Sequence, residues 1–165
     1  WRDHAEKVCA FTEEFATKNP KTVKAILKAL HLSSVWIDKL ENRQHMADVV
    51  SQATYINCPP EIIVGRLLGK YGYGNGRQEQ DPNFMIFSQR ECNFPQKTFG
   101  LWWLSQFRRW GMVKPPPDYQ GIVDKVMRQG IFMEAMKDMG VTTKFKDMQK
   151  QTLFDGTFDP ADPEK

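Results

Sequence analysis

From Pro20 to about Leu40, apolar residues recur at helical spacing: Val23, Ile26, Leu27, Leu30, Val35 and Ile37. That period puts them on one face of a helix, with Lys21, Lys24 and Lys28 on a solvated edge. Asn19-Pro20 marks the start, an N-cap followed by proline at the first helical position. The same period recurs on both sides of this helix. Val8, Phe11 and Phe15 share a face over residues 5–17. Asn42 is placed to cap a third helix carrying Met46, Val49 and Val50. Pro59 keeps Cys58 out of helical geometry, and Pro60 opens a short helix through Ile62, Ile63, Leu67 and Leu68 that stops at Gly69. A chain with this much 3.6-residue periodicity is committed to mostly α structure.

Beyond Gly69 the pattern changes. GKYGYGNGRQEQDPN is rich in glycine and polar residues and reads as a long surface loop. GYGNGR is not a phosphate loop, because no GxxxxGK[ST] spacing is present and no apolar strand precedes it. Phe84–Phe87 is the one short strand expected. A helix follows from Lys97 to Trp110. Pro115, Pro116 and Pro117 then impose a stiff, non-helical connection. Asp118 can cap a helix from Tyr119 to Arg128, and a last helix runs from Ile131 to Met139 with Gly140 as its stop. The tail LFDGTFDPADPEK is acidic and turn-rich. Four stretches result: helices over 1–69, a glycine-rich loop with one short strand over 70–98, C-terminal helices over 99–140 and an extended tail over 141–165.

Composition narrows the function classes. A net charge of +3 against 20 acidic residues is too balanced for a surface dedicated to tracking phosphates. No window approaches an apolar membrane span and no signal peptide is visible. The chain begins at Trp1 and not at methionine, so any targeting segment can lie outside it. Cys9, Cys58 and Cys92 are far apart and form no CxxC pair, which argues against zinc. His4, His31 and His45 are scattered too, and His31 reads as a packed or half-exposed residue. No catalytic constellation emerges: Ser33-Ser34 lack a nucleophile elbow, and adjacent Glu13-Glu14 point to different sides of a helix. Asp155, Asp159 and Asp162 do not fit the spacing of a calcium loop. No catalytic, metal or cofactor site is assigned.

GLWWLSQFRRWGMV, residues 100–113, holds three of the five tryptophans beside two arginines. Aromatics interleaved with arginine can stack on bases. On a helical wheel Trp103, Phe107 and Trp110 fall in one stripe bordered by Leu104, with Arg108, Arg109, Ser105 and Gln106 around it. The stripe has the width of a core-facing surface, so the expectation is a helix with Trp103, Phe107 and Trp110 turned inward, in which Trp103→Ala lowers the solubility or stability of the full-length protein, by about 3–5 kcal/mol if the ring is fully buried.

Longer blocks carry a resemblance. WRDHAEKVCAFTEEFATKNPKTVKAILKAL, DKLENRQHMADVVSQATYINCPPEII, GYGNGR, NFPQKTFGLWWLSQFRRWGMV and FDGTFDP follow one another across nearly the whole chain. In this order they resemble the solute-binding subunits of ABC importers for nitrate and bicarbonate, and the related regulatory domains and cytoplasmic nitrate sensors. Ala5 replaces the proline of the family's HPEK-like run, which loosens a turn. The slightly positive charge gives no basis for an acidic docking surface.

The resemblance implies a two-lobed α/β binding protein of the periplasmic type II fold, of which this chain matches the C-terminal part. It implies helices that return to the first lobe and wrap its outside, residues 1–69 among them. It places the anion ligands mostly upstream of Trp1, so no ligand residue is assigned here. Alone, the chain is then expected not to bind anion and to expose apolar helix faces. The implied function is delivery of a small oxyanion to an importer permease, at the periplasm or outer face of the inner membrane, through the importer or a lipid anchor. The alternative is a cytoplasmic nitrate-sensing domain of the same fold. An enzyme of the related thiamine-precursor group would need a histidine- and cysteine-rich cluster that these residues do not supply. A nucleic-acid partner is not expected.

Overall fold

The structure is a computed structural model that describes residues 7–142 and 144–164. Seven helices are present among them: α1 (Glu13–Lys18), α2 (Pro20–Ile37), α3 (Arg43–Val50), α4 (Pro60–Leu67), α5 (Lys97–Arg109), α6 (Tyr119–Val126) and α7 (Gln129–Asp138). Two antiparallel two-stranded ribbons accompany them, β1 (Lys70–Gly74) with β2 (Arg77–Gln80), and β3 (Gln151–Thr152) with β4 (Thr157–Phe158). The chain divides into two compact units. One comprises Trp1–Lys28 with Phe94–Lys165, and the other comprises Ala29–Asn93.

The helix expected from residue 5 begins only at Glu13. Thr12 is extended (φ −66°, ψ 149°) and its Oγ1 accepts the Phe15 N–H at 3.2 Å, the N-cap arrangement that sets a first turn. Ala5, and His4 before it, lie outside the described residues. Val8 is exposed, while the Phe11 and Phe15 rings stack on each other at 5.9 Å. Asn19 serves two helices. Its N–H closes α1 on the Phe15 carbonyl, and its carbonyl accepts the Val23 N–H at 3.0 Å to open α2 at Pro20.

The α2 stripe is used unevenly. Val23 is buried, Ile26, Leu27 and Ile37 are half-buried, but Leu30 and Val35 are exposed. Two of the three edge lysines are engaged: Lys24 and Lys28 reach Glu134 and Asp138 of α7, with Lys28 Nζ 2.8 Å from Asp138 Oδ2. The expected cap on α3 is absent. Asn42 instead donates from Nδ2 to the Trp36 carbonyl at 2.7 Å, because a 3-10 turn over Leu40–Asn42 already feeds α3. The face that α3 buries is Arg43 and Ala47, with Val49 exposed.

Residues 70–80 form a hairpin where a loop is expected. Tyr71 and Tyr73 favour extended backbone, and Gly74, Asn75 and Gly76 all take positive φ, which turns the chain back with a bulge between Gly72 and Gly74. Gly69 closes the base: a Cβ there would lie 1.8 Å from the Asp81 carbonyl oxygen. Phe84–Phe87 is not a strand. The Phe84 N–H turns back to the Asp81 carbonyl and the Phe87 N–H goes to the Asp38 carboxylate, so neither joins a ladder.

Two apolar clusters close the unit that contains α5 to α7. One gathers Phe94, Phe132, Ala135 and Met136, with Phe145 stacked on Phe94 at 3.6 Å. The other gathers Leu101, Leu104, Val123 and Phe158. Asp118 caps α6 through Oδ1, which accepts the Gly121 N–H at 3.0 Å. Phe158 makes the tail more than extended chain, since β3 and β4 fold it back so that its ring meets Trp102.

The aromatic stripe of α5 faces the opposite way from the expectation. Trp103, Phe107 and Trp110 are 39%, 37% and 58% exposed, whereas Thr98, Leu101, Leu104 and Ser105 are buried. Gly100 explains the choice. A Cβ there would sit 3.1 Å from Val123 Cγ2, so the glycine lets α6 approach closely on the Leu101–Leu104 side. The aliphatic stripe is taken into the core, and the aromatic one is left outside it.

Candidate functional site

The densest polar arrangement lies in residues 29–93. Asp38 follows the last residue of α2, and Arg43 opens α3; their side chains are 7% and 1% exposed. Arg43 donates from Nε to the Ile37 carbonyl at 2.9 Å and from Nη1 to the Leu67 carbonyl at 2.5 Å. Its Nη2 lies 3.4 Å from Asp38 Oδ1, and its guanidinium covers the Phe87 ring at 5.1 Å. Asp38 Oδ1 also accepts the Phe87 N–H at 2.8 Å. Oδ2 accepts the Ser88 N–H, the Ser88 hydroxyl and the Gln89 N–H at 2.7, 2.6 and 2.8 Å. Burial alone would raise the Asp38 carboxyl, but the Ser88 hydroxyl and the three backbone donors outweigh it and hold it below its ordinary value. Burial pulls the Arg43 guanidinium down, opposed by the charge of Asp38.

This arrangement can clamp a loop. It offers little to a ligand, because two carboxylate oxygens already receive five donors. Both residues sit in the DKLENR block, but helical periodicity treats Asp38 and Arg43 as surface charges. The signal that could have found them is their position at the end of one helix and the start of the next, where carbonyls lack partners. Nearby, Cys92 is half-buried, and burial followed by the charge of Asp38 pushes its thiol up to about 11, away from thiolate chemistry.

The β1–β2 ribbon gathers a second polar group. The Tyr73 hydroxyl approaches the Tyr71 hydroxyl at 3.3 Å and Glu79 at 3.2 Å, Arg77 pairs with Glu79, and the Arg77 guanidinium lies over the Tyr73 ring at 4.6 Å. Those contacts, the Tyr71 hydroxyl first, push Tyr73 up to about 12. All of it is on the surface, and the glycines make a turn and not a cradle.

The N-terminus of α5 is occupied from within. Asp147 Oδ1 accepts the Lys97 N–H at 2.8 Å, and its Oδ2 accepts from Gln129 Nε2 at 2.7 Å. A carboxylate at that helix end satisfies a donor that an anion would otherwise attract. On the far side of α5, Trp103, Phe107 and Trp110 pack against one another with ring centroids 6.3 to 6.5 Å apart. In the same helix Arg108 Nε is shut off from solvent and has no hydrogen-bond acceptor among the described residues.

The other candidates stay apart. Cys9, Cys58 and Cys92 carry free thiols, His31 lies within α2, and His45 packs edge-on against Trp36. Asp159 is engaged by Lys150 Nζ at 2.5 Å and by the Ala161 N–H at 3.0 Å. Among the described residues no three of His, Cys, Asp and Glu gather as metal ligands, and no helix is long and apolar enough to cross a membrane.

The crystal structure of the periplasmic nitrate-binding protein NrtA from Synechocystis PCC 6803 superposes with a TM-score of 0.86 at 32% identity, over 92% of this chain and 41% of that one. The fold is therefore that of one portion of a two-lobed solute-binding protein. The NMT1-like family matches residues 1–51. The nitrate/nitrite binding protein NrtA of Nostoc sp. is 32% identical over 171 residues, 100% of this chain and 39% of that protein. The bicarbonate-binding protein CmpA of Synechococcus elongatus is 30% identical over 99% of this chain and 40% of that protein. The nitrate import ATP-binding protein NrtC of Synechocystis sp. is 33% identical over 99% of this chain and 25% of that protein. By sequence and by fold the chain is homologous to the C-terminal part of the nitrate- and bicarbonate-type binding proteins, and it spans about two fifths of their length.

Proposed function

We propose that this chain forms the outer helical part of a binding protein for small oxyanions of the nitrate or bicarbonate class, one that hands its ligand to the permease of an ABC importer. The observation that carries the reading is collinearity. Almost every residue aligns with binding proteins of that class, and the backbone follows one of them closely. In this reading residues 1–69 and 99–140 pack on the outside of the first lobe, and the protein works at the periplasm, held to the membrane through the importer or a lipid anchor. The chain contributes structure and no catalysis. It needs no cofactor and no nucleic acid.

The polar geometry supports a scaffold role. Asp38, Arg43 and Asp147 are engaged by the protein's own groups, and Arg43, the one cation among them, is buried against the Ile37 and Leu67 carbonyls and Asp38. The groups that contact the anion then come from outside these residues, upstream of Trp1, and the 165 residues alone bind neither nitrate nor bicarbonate. Isothermal titration with nitrate, nitrite and bicarbonate tests both statements. A protein that joins this chain to the remaining part of the two-lobed fold should release or take up heat with at least one anion, and the chain alone with none. Silence from the joined protein toward all three would overturn the proposal.

A further inference from the structure

We propose that Asn75 is a site of spontaneous covalent modification: the Asn75-Gly76 junction at the tip of the β1–β2 ribbon closes to a succinimide and reopens as aspartate or isoaspartate. Nothing in this depends on which anion the protein binds. The chain holds six asparagines, and Asn75 is the one followed by glycine. Asparagine is a thermolabile side chain, and its loss begins when the backbone nitrogen of the next residue attacks the side-chain amide carbon. A side chain on that next residue crowds the nitrogen, and glycine has none. A Cβ placed on Gly76 would meet nothing within 4 Å, so the space around the junction is open. Asn75 and Gly76 are both exposed, and among the described residues no hydrogen bond holds the Asn75 side chain. The other five asparagines each miss a condition. Asn19 precedes Pro20, whose nitrogen has no proton to give up. Asn42 and Asn93 tie their Nδ2 to the Trp36 and Phe87 carbonyls at 2.7 and 2.6 Å. Asn57 shares both exposure and a positive φ, 55° against 46° for Asn75, but it precedes Cys58, and Asn83 precedes Phe84.

The ribbon lets its tip open. Tyr71 is half-buried and every other residue of β1 and β2 is exposed, and a two-stranded hairpin without a packed face is marginal in water. In the open turn hydroxide removes the Gly76 amide proton, the nitrogen bonds to Asn75 Cγ, and Nδ2 leaves as ammonia after taking a proton from water. Water then opens the ring. Addition at Cγ gives aspartate in the original backbone, whereas addition at the Asn75 carbonyl carbon leaves Gly76 joined through Cγ, an isoaspartate. One water is consumed and one ammonia released, and no oxidant or reductant takes part. The two products act differently on the fold. Aspartate tolerates the positive φ of this turn and keeps the Gly74–Arg77 pairing. Isoaspartate adds a carbon to the backbone, which breaks the two-residue turn and with it the register that sets Tyr73 beside Arg77 and Glu79.

The test is peptide mapping of the purified chain after incubation at physiological temperature in mildly alkaline buffer. Trypsin cuts after Lys70 and Arg77, and the peptide 71–77 carries Asn75 as its one side-chain amide, so a mass gain of the amide-to-acid kind there is unambiguous. Conversion at Asn75 should run several-fold faster than at Asn57, should slow in mild acid, and should vanish in Asn75→Gln. An equal or faster gain at any other asparagine overturns the proposal. So does an unchanged Asn75 in the time that a free peptide of residues 71–77 takes to convert, since the ribbon would then be a lock. An endoproteinase that cuts before aspartate but not before isoaspartate sorts the products, and ion exchange isolates them as intact chains. The ring proton resonances of Tyr71 and Tyr73 should move in the isoaspartate form and stay in place in Asn75→Asp. Matching spectra for the two would overturn the assigned effect on the turn. Titration of the joined two-lobed protein with anions reads the oxyanion proposal separately, and neither result decides the other.

Discussion

The two units are held together by different physics. Ala29–Asn93 is organised around a buried ion pair: Arg43 bridges the end of α2 to the end of α4, and Asp38 gathers the backbone of residues 87–89. Its buried apolar side chains are the small Ala47 and the single Leu67. The unit with α5 to α7 instead closes on rings and branched chains, in the Phe94–Phe132–Met136 and Leu101–Val123–Phe158 clusters. Apolar burial tolerates loss by degrees, because each methylene removed costs a further increment. A buried charge pair does not, because removing one partner strands the other.

That contrast can be broken most sharply at Arg43. Arg43→Ala leaves the Asp38 carboxylate buried beside two unpaired carbonyls and should cost about 3–5 kcal/mol, with amide exchange accelerating across residues 29–93. Exchange that rises equally in both units would contradict a division of labour. Leu101→Ala should cost about 2–5 kcal/mol, read by urea denaturation, with lost protection concentrated in α5, α6 and the β3–β4 ribbon. Acid should then separate the units by pH. Asp38 sits below its ordinary value of 3.8 in the folded state, so its contribution is complete above that value and is lost as pH falls through the lower folded one. Amide protection in residues 29–93 should therefore decay in strong acid, and Asp38→Asn should remove that decay at the cost of a lower plateau at neutral pH. The smallest effect is expected at the aromatic face. In the 165-residue chain Trp103→Ala should change stability by less than about 1 kcal/mol, well below the value that burial would demand, and a thermal melt decides between the two.

Helix placement was legible because its causes are local. Asn19-Pro20, Pro60, Gly69, Asp118 and Gly140 each act within a turn of the helix they start or stop, and the structure uses all five where the spacing puts them. What was not legible is which apolar stripe wins when a helix carries two. In α5 the aromatic stripe is the heavier one, yet Gly100 gives the neighbouring helix access to the other side, a tertiary fact with no local signature. The clamp at Asp38 was hidden for the same reason: its partners at Phe87, Ser88 and Gln89 lie about fifty residues away in sequence, with separations of 49 to 51. Phe84–Phe87 reads as a strand on composition alone, and the clamp draws its backbone off. The resemblance in longer blocks carried the family where single residues could not, since no side chain in the described residues stands out as an anion ligand.

The way the chain is partitioned has a consequence for its birth on the ribosome. Ala29–Asn93 is an uninterrupted run, and its clamp is complete once Gln89 has emerged. The other unit cannot close so early. Leu27 precedes Phe132 and Met136 of the cluster it packs against by more than a hundred residues. At roughly 5–20 residues per second of synthesis, the inserted unit has seconds to settle before Phe132 and Met136 emerge. Within these 165 residues the inserted unit can therefore settle before the unit that brackets it closes.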